Sequence, residues 1–158
     1  MAFKTDCGGV AMTAEVKLSK ASTTWNTRLS QIHRMEGDIY ICTFSLCNRE
    51  YISKILNRRS KDVTIICNSR YEANARQLKQ DFPETRFFVN PNAHAKLVLI
   101  GPKTVWLSSE NLGRKKETFD ASIGIHSEEA YQHYLAQVQK LLRSRNTIEI
   151  GGTEECMQ

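Results

Sequence analysis

At 158 residues, with 41% apolar and 25% charged side chains, the chain has the size and composition of one globular domain and excludes a disordered or fibrous polymer. No stretch approaches the roughly 18 to 20 consecutive apolar residues of a membrane span, and the opening residues lack a signal peptide's apolar run. No membrane partner and a cytoplasmic location are therefore expected, while the formal net charge of +5 favours a polyanionic partner such as nucleic acid.

In chain order, Gly9 to Leu18 predicts a short strand or extended arm. Ser22 or Thr23 caps an expected helix with an apolar stripe of Trp25, Leu29, Ile32 and Met35, and Gly37 is placed to end it. Asp38 to Phe44 predicts a buried strand, Asn48 to Arg59 a helix, Asp62 to Cys67 a β-branched strand, and Tyr71 to Phe82 a helix stopped at Pro83. Arg86 to Val89 is a short strand. Lys96 to Ile100 and Thr104 to Leu107 form an expected hairpin through Gly101-Pro102-Lys103. Ala121 to Ile125 adds a strand, and Ser127 caps a last helix with Glu128 and Glu129 in its first turn.

This order predicts an α/β fold, a mixed and mostly parallel β-sheet flanked by helices on both faces. One domain is expected over residues 1–146, followed by a weakly ordered tail over 147–158. The five cysteines include no Cys-x-x-Cys pair, which argues against a disulfide framework and for a reducing compartment. No His or Cys spacing of a metal site is present, so neither metal nor cofactor is expected.

The informative segment is Asn90-Pro91-Asn92-Ala93-His94-Ala95-Lys96-Leu97-Val98-Leu99-Ile100, followed by Trp106-Leu107-Ser108-Ser109-Glu110-Asn111. Strand alternation places His94 and Lys96 on one side and Ala95 on the other, and a lysine entering so apolar a strand calls for an explanation. His-x-Lys at a strand start, then an apolar run, a turn, a second strand and Ser-Ser-x-Asn resembles the phospholipase D superfamily motif of His-x-Lys followed by Gly-Ser-x-Asn. The element order from about residue 9 to 145 resembles that superfamily's single-domain nucleases.

The resemblance implies a fold and a chemistry. His94 would be the nucleophile forming a phosphohistidine, Lys96 and Asn111 would hold the non-bridging phosphate oxygens, and Ser109 would support them. Asp120, with Glu117 as a weaker choice, would orient the histidine. The superfamily takes its leaving-group proton from a second His-x-Lys histidine, and this chain has one such motif, so a homodimer sharing one site is implied. Two departures stand out. The aspartate usual after a four-residue gap beyond the lysine is replaced by Gly101, and the glycine of Gly-Ser-x-Asn is Ser108.

For substrate, Arg114, Lys115 and Lys116 form a basic loop just after Asn111, and Arg58, Arg59 and Lys61 a second cluster. Trp25 and Trp106 are expected in the core. The expected function is a metal-independent phosphodiesterase, a nuclease acting on DNA or RNA. The alternatives are a non-catalytic module of the same fold that binds nucleic acid or protein, and a phospholipase.

Overall fold

The structure, a computed structural model, describes residues 2–20, 31, 32, 34–112 and 119–151. Of the helix expected around Trp25 to Met35, residues 21–30 and 33 lie outside the described residues, and 31, 32 and 34 are helical. The described strands are β1 (Glu15–Lys20), β2 (Ile39–Cys42), β3 (Val63–Asn68), β4 (Arg86–Asn90), β5 (Leu97–Ile100), β6 (Thr104–Ser108), β7 (Ala121–His126) and β8 (Ile148–Glu149). The helices are α1 (Arg49–Arg58), α2 (Glu72–Asp81) and α3 (Glu128–Leu142), with a 3₁₀ turn at Ser69–Tyr71. Local chemistry sets their ends. Asn48 accepts from the Tyr51 N–H at 3.0 Å to start α1, Ser127 accepts from the Ala130 N–H at 3.2 Å to start α3, and α2 ends at Asp81, with Phe82 as its cap before Pro83.

All eight strands form one mixed sheet in the order β1-β7-β6-β5-β2-β3-β4-β8. The sheet is mixed as expected, but its balance is antiparallel and not mostly parallel. β2, β3 and β4 pair in parallel, and every other junction is antiparallel. Helical crossovers link the parallel strands, whereas β5 and β6 are joined by a three-residue turn too short to return a chain for parallel pairing.

Two cores lie on opposite faces. Ile52, Ile55, Leu56, Ala75 and Leu78 of α1 and α2 pack with Ile39, Ile65, Val98 and Ile100, while Ala130, Tyr131 and Val138 of α3 pack with Ile66, Leu97, Leu99 and Val105. The four residues of β5 thus alternate between two interiors, which is why an unbroken Leu-Val-Leu-Ile run is required there. Each such side chain contributes about 1.5–3 kcal/mol by leaving water. Trp106 is buried as expected, its indole N–H donating to Gln31 Oε1 at 2.7 Å and its ring lying where a Cβ on Gly124 would be.

Residues 148–150, expected in a weakly ordered tail, belong instead to the sheet. β8 pairs with β4, the Ile150 N–H donates to the Phe87 carbonyl at 2.8 Å, and Ile150 is buried. The edge of β4 offers unpaired backbone groups that a short strand can satisfy.

At the end of the sheet where β3 starts, two members of the second basic cluster, Arg59 and Lys61, are already engaged. The Arg59 guanidinium donates to the carbonyls of Ile32, Met35, Glu36 and Gly37, and Lys61 lies 3.5 Å from Glu84. Gly37 also meets the β5–β6 turn backbone to backbone, since a Cβ there would stand 2.5 Å from the Gly101 carbonyl oxygen. Gly37→Ala is expected to cost about 1–3 kcal/mol. Urea denaturation should show a lowered midpoint at unchanged slope.

Candidate active site

β2, β3, β4 and β6 end, and β5 and β7 begin, at the same rim of the sheet, a direct result of their pairing directions. His94, Lys96, Ser109, Asn111 and Asp120 all fall at this rim. The expected strand starts at Lys96; β5 begins one residue later, at Leu97, and His94 sits in the loop before it. That loop is held by side chains and not by a strand ladder. The Asn92 N–H donates to Asn90 Oδ1 at 2.7 Å, the Ala93 N–H to the Asn90 carbonyl at 3.1 Å, and the buried Asn68 Nδ2 to the carbonyls of Pro91 and Ala93 at 3.0 and 3.1 Å.

The His94 side chain is exposed, its ring 5.4 Å from that of Phe44 and inclined to it by 56°. Lys96 is half-buried, and its carbonyl accepts from the Ser108 N–H at 3.0 Å, extending the β5–β6 ladder by one step.

Asn111 reaches the same point from the far end of β6. Its Oδ1 accepts from the Phe44 N–H at 3.1 Å and from the Ser45 N–H and Thr43 hydroxyl, each at 3.4 Å. The two backbone N–H donors on the oxygen fix the amide's orientation, so the Nδ2 donor is turned to the other side. Thr43, buried at the end of β2, also accepts from the Leu112 N–H at 2.9 Å and ties down the segment carrying Asn111.

Ser109 Oγ donates to Asp120 Oδ1 at 2.7 Å and accepts from the Ala121 N–H at 3.1 Å. The Asp120 carboxylate therefore stands beside Ser109. Arg114, Lys115, Lys116 and Glu117 lie outside the described residues.

Both departures from the motif have a place. Gly101 is at the far end of β5, roughly 16 Å from Lys96 at strand spacing, so it does not touch the His94 loop. A Cβ there would meet the Tyr131 hydroxyl at 3.1 Å and the Asp38 backbone at 3.5 Å, so a side chain at this position would require the tyrosine to shift by a few tenths of an ångström. Ser108 accepts from the Glu110 N–H at 3.0 Å and so closes the turn carrying Ser109 and Asn111. Its φ lies outside the left-handed region, so this position does not require glycine.

Sequence reasoning missed Thr43, Phe44, Asn68 and Arg70, which lie 24 or more residues from His94 in the chain. The one available signal was polar residues, Thr43 and Asn68, ending strands that are otherwise apolar. Burial pushes the thiols of Cys42 and Cys67, at the ends of β2 and β3, up to about 12, so they are uncharged packing groups and do not compete as nucleophiles. An exposed imidazole, an ammonium and an oriented amide donor at one rim are suited to receive an anionic tetrahedral group.

No family model and no curated protein matches the sequence. Solved structures do match. Nuc from Salmonella typhimurium, a phospholipase D family member, is similar with a TM-score of 0.72 over 89% of this chain and 100% of that one, at 14% identity. NucT from Helicobacter pylori has a TM-score of 0.70 over 88% and 99%, at 19% identity. TrmBL2, an archaeal chromatin protein whose structure shows a novel mode of DNA binding, has a TM-score of 0.57 over 80% of this chain and 52% of that one, at 8% identity.

Proposed function

Because the chain has the phospholipase D fold, we propose that it is a metal-independent phosphodiesterase, a nuclease hydrolysing DNA or RNA in a site shared by two subunits. The observation that carries this reading is the meeting of His94 and Asn111 on Phe44, with Lys96 and Ser109 at the same rim. A His94 nitrogen attacks phosphorus, forming a P–N bond as the bond to the leaving oxygen breaks. Lys96 and Asn111 stabilise the charge on the non-bridging oxygens, Ser109 supports them, and Asp120 orients the histidine. The partner subunit's His94 gives the leaving oxygen its proton, then takes one from the water that hydrolyses the phosphohistidine.

Two features favour a shared site. Among the described histidines none but His94 lies at this rim. His126 is at the other end of β7, about 17 Å along the strand, and His133 sits on α3 beside Gln137 and Tyr134. Beside the rim, Leu107, Ile123 and Leu18 form an apolar row across β6, β7 and β1 that grows more exposed outward, to 75% at Leu18, a surface suited to a second copy.

Nucleic acid ranks above lipid because the chain is basic, and Arg114, Lys115 and Lys116 follow Asn111 directly in sequence. A phospholipase would instead have to engage vesicles. The fold shared with TrmBL2 favours one second reading, a DNA-binding module without catalysis.

Labelled single- and double-stranded DNA and RNA incubated in excess EDTA separate these readings. Wild-type cleavage that the His94→Ala dimer lacks is the expected result. Binding by both proteins without cleavage by either would replace the nuclease by the binding module.

A further inference from the structure

Arg70 stands at the rim, and among the described residues its side chain makes no ion pair. It lies in the 3₁₀ turn Ser69–Tyr71 that follows β3, and its side chain is exposed. Its guanidinium carbon is 6.0 Å from the centroid of the Phe44 ring, the same ring that His94 meets at 5.4 Å. Tyr71 packs edge-on to Phe44 from the same turn, at 5.7 Å.

The turn is anchored to the nucleophile's loop through one buried side chain. Asn68 Oδ1 accepts from the Arg70 N–H at 3.1 Å, while its Nδ2 holds the carbonyls of Pro91 and Ala93. The base of Arg70 and the loop carrying His94 are thus referenced to the same amide. No carboxylate among the described residues pairs with Arg70, and Glu72, its neighbour two residues on, is engaged by Arg76 at 2.6 Å. An exposed cation held over an aromatic ring, with no counterion among the described residues, is suited to take a phosphate.

We infer that Arg70 is a substrate-binding residue of this site and takes the backbone phosphate adjacent to the one that His94 attacks. This rests on the nuclease reading and deepens it. A contact to a second phosphate rewards a polymer of phosphodiesters and gives nothing to a lipid with a single one. In a two-fold dimer the two copies of Arg70 would flank the scissile phosphate on both sides.

The test is binding of a fluorescein-labelled single-stranded DNA oligonucleotide, followed by anisotropy over a salt series, to His94→Ala dimers that cannot consume it. Adding Arg70→Ala should weaken binding on the order of tenfold and lower the slope of log affinity against log salt by about 0.7 for each phosphate that the guanidinium no longer neutralises. Arg70→Lys should recover most of the slope. Lys103→Ala, which removes an exposed cation at the opposite end of the sheet, should change neither. In cleavage by otherwise wild-type protein, Arg70→Ala should raise KM far more than it lowers kcat. An unchanged salt slope in Arg70→Ala, with the parent still binding, overturns this inference alone. Absence of binding by the parent both to this DNA and to labelled double-stranded DNA and RNA overturns the nucleic-acid reading, and this inference with it.

Discussion

Replacing His94 by alanine is expected to lower the single-turnover cleavage rate by on the order of ten-thousand-fold or more, because in the proposed mechanism it removes the atom that forms the covalent bond and, in the partner, the proton donor. The fold should survive. His94 is exposed, and its loop is held by Asn68 and Asn90 and not by the imidazole, so the urea midpoint should stay close to that of the wild type. The stronger test is mixing. If each site needs His94 from both subunits, only a dimer of two wild-type chains is active, and equal exchange with His94→Ala chains leaves about one quarter of the activity. Retention of half would mean that each subunit works alone, and the shared site would have to be abandoned.

Asn111→Asp carries the second largest expected effect. The change keeps an oxygen for the Phe44 and Ser45 N–H groups, so the segment stays in place, but it exchanges the amide donor for a negatively charged oxygen facing the substrate. Losing one such donor costs about a hundred- to a thousand-fold in kcat, and charge repulsion adds to the loss. Asn111→Ala is the useful contrast. It removes the acceptor as well, leaving the Phe44 N–H without its partner, and should also destabilise the fold by about 1–3 kcal/mol. Single-turnover rates and urea denaturation on both variants separate the two contributions. An Asn111→Asp protein with kcat within a few fold of wild type would remove Asn111 from transition-state stabilisation.

Gly101 and Ser108 show how a motif departure is decided by position. By sequence alone Gly101 raised the question of whether the nucleophile's loop had lost a support. Gly101 lies at the opposite end of β5, pressed against Gly37, and the support near the nucleophile comes from Asn68. Ser108 bonds the Glu110 N–H, stabilising the turn that presents Ser109 and Asn111.

The sequence by itself determined the kinds and order of the elements from β2 to α3, because periodicity, caps and breakers act within a few residues. Asn48 and Ser127 start helices, Pro83 follows the end of one, and the β-branched and apolar runs mark the strands. It also singled out His94, Lys96, Ser109 and Asn111 as the candidate site, since they lie on one hairpin and its flanks. Only the tertiary structure decided which strands are neighbours, and with that the largely antiparallel balance, the pairing of β8 with β4, and the meeting of Thr43, Phe44, Asn68 and Arg70 with the His94 loop. Strand pairing depends on which edges the whole chain leaves to be satisfied, and an apolar run of four to six residues does not name its partner. Because β5 lies against β2, and β2 against β3, residues 24 to 51 positions before His94 in the chain became its neighbours.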